Sequence, residues 1–303
     1  MINDQQIFMK FLFAAERVLM SYTLILHNLF YKMKLLLTLA LMCILYSCSN
    51  NSKEPEQNIT EPSLTTPVIN YTVTKYFPHD TTLFTEGLLI HDGQLFESTG
   101  SPEELIQTKS LIGTIDLTTG RTHKKVELDK TKYFGEGIVF FKDKLYQLTY
   151  KNKIGFIYDA KSFKQLGTFH YSNEEGWSLT TDGLNLIMSD GTDKLTFLNP
   201  ENLQPVKTLG VTLNGMPVGK LNELEFIKGF IYANVWRTNN IVKIDPYNGK
   251  VTGQIDLSSL SAKAKSKNPN AEVMNGIAYD SVSDKINITG KLWPNIYQIS
   301  FSH

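Results

Sequence analysis

A carboxylate held between two glycines, Glu136 in the stretch Tyr133-Phe134-Gly135-Glu136-Gly137-Ile138-Val139-Phe140, is the first candidate for chemistry in this chain. A positioned carboxylate can take up a proton and return it. A glutamate in such a tight loop can also do no more than bond turn N–H groups. Four related openings, Glu86-Gly87-Leu88, Glu175-Gly176-Trp177, Asn222-Glu223-Leu224 and Asn275-Gly276-Ile277, each precede a similar apolar segment. Further unusual residues follow the segments after these openings: Tyr150, Trp236 and Lys291, with Trp293 two positions on. A lone lysine is ordinarily a solvated surface group, and Trp177 and Trp236 would ordinarily be core. Only an architecture that gathers them lifts them together.

The elements around these residues supply one. From Ile69 onward short β-type runs alternate with turn signals, and no stretch carries sustained helical periodicity. Each opening continues into a hairpin, the first turning at His91-Asp92-Gly93 and the second at Lys142-Asp143-Lys144. A second hairpin follows most of them, with an Asp or Asn before the turn whose side chain can bond the turn backbone. The openings recur at roughly 40 to 50 residues, and four strands at that period mark a β-propeller. The chain is therefore expected to be all-β, a five-bladed propeller of four-stranded antiparallel blades. The last repeat has three strands, and residues 71–77 supply the fourth, so the N-terminal strand closes the last blade. A β-sandwich with imperfect repeats is the competing architecture. In a blade the start of the first strand and the end of the second lie on one face beside the channel. That places Glu86, Glu136, Trp177, Asn222 and Asn275 with Tyr150, Trp236 and Lys291 at one mouth, and all three tryptophans at or near its rim.

Composition narrows the partners. Thirty acidic residues balance thirty basic ones, so no global field favours nucleic acid or an anionic membrane. The two cysteines, Cys43 and Cys48, lie near the N-terminus, which excludes a disulfide framework or a cysteine metal site beyond them. Met33-Lys34, an uncharged apolar run over 35–46 and then Ser47-Cys48 read as a secretory signal. The run is shorter than the roughly 20 residues a bilayer span needs. Leu45-Tyr46-Ser47-Cys48 resembles a bacterial lipobox, with Cys48 lipidated as the new N-terminus; an ordinary signal peptide with a coincidental cysteine is the rival. The expected organisation is an upstream extension over 1–32 with translation starting at Met33, a lipoprotein signal peptide over 33–47, the lipidated cysteine with a flexible tether over 48–68, and the propeller over 69–303. The chain is then an exported lipoprotein of a bacterial cell envelope, anchored to the membrane through Cys48 and facing the periplasm or the surface. It is expected to be a monomer.

The motifs also carry a family resemblance. Phe84-Thr85-Glu86-Gly87-Leu88, Leu95-Phe96-Glu97-Ser98-Thr99-Gly100, Tyr133-Phe134-Gly135-Glu136-Gly137, Gly155-Phe156-Ile157-Tyr158-Asp159 and Leu221-Asn222-Glu223-Leu224-Glu225 occur in that order. Ala233-Asn234-Val235-Trp236, Asn275-Gly276-Ile277-Ala278 and Thr289-Gly290-Lys291-Leu292-Trp293-Pro294 complete the set. Over about residues 77–299 the chain resembles the plant and bacterial (type I) glutaminyl-peptide cyclotransferases, or glutamine cyclotransferases, five-bladed propellers unrelated to the zinc-dependent animal enzyme. The resemblance implies closure of a peptide's N-terminal glutamine to pyroglutamate with release of ammonia. It implies Glu136 as acid and base, with Asn222 and Lys291 completing the catalytic group, and Phe84, Phe134, Trp177 and Trp236 as pocket walls. Glu86 stands where Gln is commoner and Tyr150 where the plant enzyme has Trp, so both bear on substrate contacts.

That reaction suits the residue types. The attacking α-amine must lose a proton and the leaving nitrogen must gain one, which one carboxylate can do in sequence. Lys291 or Asn222 can stabilise the oxyanion, and aromatic walls exclude water. No metal or organic cofactor is required, although a structural calcium held by carboxylates and carbonyls fits the composition. The six histidines, His27, His79, His91, His123, His170 and His303, share no blade position, which disfavours a metal-dependent sugar- or lactone-processing propeller. The other alternative is a non-catalytic propeller lipoprotein that binds a peptide or envelope partner at the same mouth.

Overall fold

A computed structural model describes Met33 and residues 66–302. The extension, the signal peptide beyond Met33, Cys48 and the tether as far as residue 65 lie outside the described residues. Residues 66–302 belong to one compact unit.

The strand β1 (Tyr71–Pro78) precedes five repeats. The first blade is β2 (Phe84–His91), β3 (Gln94–Gly100), β4 (Leu111–Ile115) and β5 (Thr122–Glu127). The second is β6 (Gly135–Phe141), β7 (Lys144–Thr149), β8 (Ile154–Asp159) and β9 (Gln165–His170). The third is β10 (Ser178–Thr181), β11 (Leu186–Ser189), β12 (Lys194–Leu198) and β13 (Pro205–Gly210). A small hairpin, β14 (Thr212–Leu213) and β15 (Met216–Pro217), leads to the fourth: β16 (Leu221–Ile227), β17 (Phe230–Val235), β18 (Asn240–Ile244) and β19 (Val251–Asp256). A helix, α1 (Ser258–Lys267), then precedes β20 (Met274–Asp280), β21 (Lys285–Gly290) and β22 (Asn295–Phe301). The last sheet runs β1-β22-β21-β20, with Tyr71 opposite Phe301 and Pro78 opposite Asn295. The five-bladed propeller closed by its N-terminal strand is thus the observed fold. Ahead of β1, Gln254 N donates to Pro67 O at 3.0 Å.

Burial follows radius. The innermost β2 is buried from Phe84 through Leu89, whereas outer β5 and β13 are mostly exposed. Five apolar clusters fill the gaps between neighbouring blades among the described residues. Between the second and third blades, for example, Val139, Tyr146 and Leu148 meet Leu179, Leu186 and Met188. Hairpins close as their turn residues require. Asp92 and Gly93 both take positive φ, and Asp116, Asp159 and Asp245 accept turn N–H groups at 2.8 Å.

The helix corrects the all-strand reading. In α1 only Leu260 and Ala264 are buried, a stripe one turn long in a Ser- and Lys-rich segment, too narrow to register as periodicity. Lys265 and Lys267 in its last turn suit the negative end of the helix dipole.

Candidate active site

The strand openings are irregular, and that irregularity places the site. Antiparallel register slips between Thr85 and Gly87 on β2, between Gly135 and Ile138 on β6, between Leu221 and Leu224 on β16 and between Met274 and Ile277 on β20. An extra residue in one strand re-aims side chains and ends regular pairing. Here the slipped segments carry Glu86, Glu136, Asn222 and Asn275. In the third blade β10 pairs β11 without a slip, and Trp177 lies just ahead of β10. Three of the openings are tied to the preceding blade by a residue of its second strand. Ser98 Oγ donates to Glu136 O and Ser189 Oγ to Asn222 O, both at 2.7 Å. Gly276 N donates to Asn234 Oδ1 at 3.1 Å.

All nine sequence-predicted pocket residues line one cavity of 340 Å³: Phe84, Glu86, Phe134, Glu136, Tyr150, Trp177, Asn222, Trp236 and Lys291. Pro102, Glu104, Arg237, Glu272 and Val273, which sequence reasoning did not single out, complete its wall. Trp293 is the correction. It is fully buried among Ile277, Ile288 and Tyr297, its Nε1 donates to Glu272 O at 2.9 Å, and it does not line the cavity. Its place two residues after Lys291 marked the right loop but not the inward turn of its side chain. Asn275 likewise stays out of the cavity. Its Nδ2 donates to Thr85 O at 3.1 Å and to Glu86 Oε2 at 3.2 Å, so it orients Glu86.

Charge in the cavity is asymmetric. Lys291 Nζ donates to Glu86 Oε1 at 2.6 Å and sits 4.4 Å from the centre of the Phe84 ring. Among the described residues Glu136 has neither a lysine nor a backbone amide bonded to its carboxyl, and it faces Glu86 across a side-chain hydrogen bond. Burial and then the Glu86 charge push the Glu136 carboxyl well above the usual carboxylate range, with Lys291 opposing. Burial also raises Glu86, although Lys291 holds it back. A proton taken up by the pair therefore goes to Glu136, and the charge stays on Glu86. Asn222 Oδ1 is buried without a hydrogen-bond partner among the described residues, an acceptor at the cavity wall.

The walls are aromatic and seated on glycine. Phe84 and Phe134 meet edge to face at 6.2 Å, and Trp177 and Trp236 do so at 5.5 Å. Phe134 lies flat against Gly100, and Trp177 against Gly191, where φ is +78°. A side chain at either glycine would occupy the space of the ring, and at Gly191 it would also strain the backbone. Trp177 Nε1 donates to Glu175 Oε2 at 2.9 Å, and Gly137 N donates to Trp177 O at 2.9 Å, so the indole and the Glu136 loop are fixed to each other.

A model of the glutamine cyclotransferase family matches residues 39–301. The chain belongs to the glutamine cyclotransferase family. It is 40% identical over 225 residues to a glutaminyl-peptide cyclotransferase of Arabidopsis thaliana, covering 74% of this chain and 68% of the relative. It also superposes on the crystal structure of a glutaminyl cyclase from Myxococcus xanthus with a TM-score of 0.71 and 35% identity, covering 78% of this chain and 98% of the other.

Within this cyclotransferase fold the loop carrying Lys291 is clamped to the loop carrying Glu86. Leu292 N donates to Leu83 O at 2.8 Å and His79 N to Pro294 O at 3.1 Å. The His79 ring is wholly buried, with Nδ1 2.7 Å from Trp293 O and Nε2 3.1 Å from Glu97 Oε2. Thr85 Oγ1 donates to Glu97 Oε1 at 2.6 Å. Burial pulls the imidazole pKa down, but Glu97 outweighs it and the net shift is upward. Sequence reasoning missed this pair because His79 and Glu97 sit outside the motif positions that face the mouth. Among the described residues no three His, Cys, Asp or Glu side chains are grouped to hold a metal ion.

Proposed function

We propose that this chain cyclises the N-terminal glutamine of peptides or proteins to pyroglutamate and releases ammonia, with Glu136 carrying the proton. The observation that carries this reading is the Glu136 carboxyl: buried, facing a cavity, without backbone donors, and raised by burial and by Glu86.

With both acids ionised, Glu86, Glu136 and Lys291 sum to one negative charge. The α-ammonium of the substrate brings the compensating positive charge. An α-amine titrates at about 8, and a carboxyl raised by burial accepts its proton at less cost than an ordinary carboxylate would. The freed amine attacks the side-chain amide carbon, and the C–N bond of the five-membered ring forms. Glu136 then gives its proton to the amide nitrogen, the old C–N bond breaks, and ammonia leaves. The ring nitrogen gives its surplus proton to Glu136, and loss of that proton to solvent restores the carboxylate that accepts from the next α-ammonium. Lys291 keeps two N–H donors beyond its bond to Glu86, and these stabilise the oxyanion. Asn222 Oδ1, unpartnered in the cavity wall, accepts from the substrate amine. Phe84, Phe134, Tyr150, Trp177 and Trp236 hold the reactive conformer and exclude the water that would yield glutamate instead. Every step is assigned to the chain's own side chains, without metal or organic cofactor.

Ammonia release from a Gln-starting peptide, compared between wild type and Glu136→Ala, tests the proposal. Release by wild type and a severe loss in the variant are expected; no release by wild type across pH would sink the activity. The lipobox at 45–48 supports export, with Cys48 lipidated and the propeller tethered to a bacterial envelope membrane as a monomer. Incorporation of labelled fatty acid that disappears in Cys48→Ala is the expected result, and no label in the wild type would remove the anchor.

A further inference from the structure

The cavity at Glu136 does not stop at the reacting carboxyls. Three of its wall residues, Arg237, Glu272 and Val273, also line a second cavity of 350 Å³. That cavity continues past the Trp236 turn to Thr238 and Asn239 and reaches Ser261 and Lys265 on α1. Cavities beside Asp80 and Arg121, beside Phe141 and Pro200, and beside Ser172 and Asp190 share no wall with the site.

We propose that this second cavity is the exit groove for the residues following the cyclising glutamine, and that Arg237 with Lys265 favours an acidic residue at the second or third position of the substrate. The inference rests on the cyclotransferase reading and specifies its substrate class. The glutamine side chain and α-amine must both sit by Glu136, inside aromatic walls, so the remaining peptide has to leave through a neighbouring opening. The groove joined to the site is the one that runs toward α1.

Its chemistry is that of a peptide binder. Ser261 offers a hydroxyl and Asn239 an amide oxygen to a passing backbone, whereas Thr238 Oγ1 donates to Val235 O at 2.7 Å and holds the turn. Arg237 is exposed and makes no ion pair among the described residues. Its guanidinium is stacked 4.3 Å from the centre of the Trp236 ring, with φ at +63°. The turn that presents it is fixed by Trp236 N to Lys220 O at 2.8 Å and Thr238 N to Val235 O at 3.0 Å. A fixed, unpaired guanidinium fork matches a carboxylate. Lys265 Nζ is held at the groove by Ala271 O, 2.9 Å away, with donors to spare. Glu272 is the one acid of the groove wall, against two cations, so the groove is net positive.

Steady-state kinetics with three amidated tetrapeptides, Gln-Glu-Glu-Ala, Gln-Ala-Ala-Ala and Gln-Lys-Lys-Ala, provide the test. The wild type should prefer the acidic peptide over the lysine peptide by roughly two- to fivefold in kcat/KM, the size of an exposed ion pair, expressed in KM. Arg237→Glu and Lys265→Glu should each narrow or invert that order. Equal kcat/KM for all three peptides, or an order untouched by both variants, would overturn the groove. Direct binding of the same peptides to Glu136→Gln separates the two readings. The same affinity order without turnover by wild type would retain the groove and reject the reaction; equal affinities would reject the groove whatever the turnover.

Discussion

Glu136 and Glu223 lie on the inner strands of the second and fourth blades, are 4% and 2% exposed, and both have carboxyls raised well above the ordinary range by burial. Their partners differ. Glu223 Oε1 accepts Leu88 N at 3.2 Å and Oε2 accepts Ile277 N at 2.8 Å, which ties the fourth blade to the first and fifth. Glu136 has no such amides and faces a cavity and a second carboxylate. Burial raises a carboxyl in either setting. What makes the group available for chemistry is that its lone pairs are left to a ligand. A perturbed acid saturated by backbone donors is a strut, and a perturbed acid beside a cavity is a reagent.

Four experiments break or sharpen that contrast. Glu136→Gln should lower kcat by about 10²- to 10⁴-fold, the range for removing a general acid–base, with the urea midpoint unchanged or raised. Comparable loss of stability would make it another strut. Glu223→Ala should act in reverse. Two buried amides lose their acceptor at about 1–3 kcal/mol each, read as a fall in unfolding free energy, and a fully stable variant would sink the strut assignment. Next, Glu86→Gln removes the charge that opposes ionisation of Glu136 and leaves Lys291 to attract it. Both effects act in one direction, so the acid limb of the kcat/KM profile should move to lower pH. A profile that stays in place would show the two acids to be uncoupled. The smallest effect belongs to Glu225, whose Oε1 accepts Tyr279 N at 2.8 Å and whose carboxyl is raised by burial from 4.5 to about 8. A folded-state value above the unfolded one gives stability that is complete below pH 4.5 and fades as pH rises through about 8. Glu225→Gln should therefore show a shallower decline of Tm over that interval, and an identical decline would exclude Glu225 as its source.

Much of the site was legible before any coordinates, because blade topology assigns the start of one strand and the end of the next to the same mouth. Glu136, Asn222 and Lys291 could be gathered on that basis, and the structure does gather them. What sequence could not supply was pairing. Lys291 was grouped with Glu136 and Asn222, and nothing in the sequence showed that its direct partner is Glu86, 205 residues away. That choice depends on strand slips of one or two residues, which leave no compositional trace. The same limit explains Asn275, read as another strand opening but acting on Glu86 from outside the cavity. It also explains Trp293, whose inward turn depends on the loop bend at Leu292, where φ is +61°. The helix α1 escaped because its buried stripe is two residues long, and Arg237 because nothing in sequence joins the Trp236 turn to the groove.

The closure of β1 against β22 has a consequence for the order of events in synthesis. Glu86 and Lys291 come from opposite ends of the propeller and meet only when strands at the two ends of the ring have paired. A ribosome-bound chain that has released four blades still lacks the cation that fixes Glu86, and its first blade has no neighbour on one side. Contacts of such long sequence separation form late, so competence arrives as a single final event and no truncated intermediate holds the ion pair. For a chain that crosses a membrane before folding, that delay would keep the site silent until the whole propeller has reached its destination.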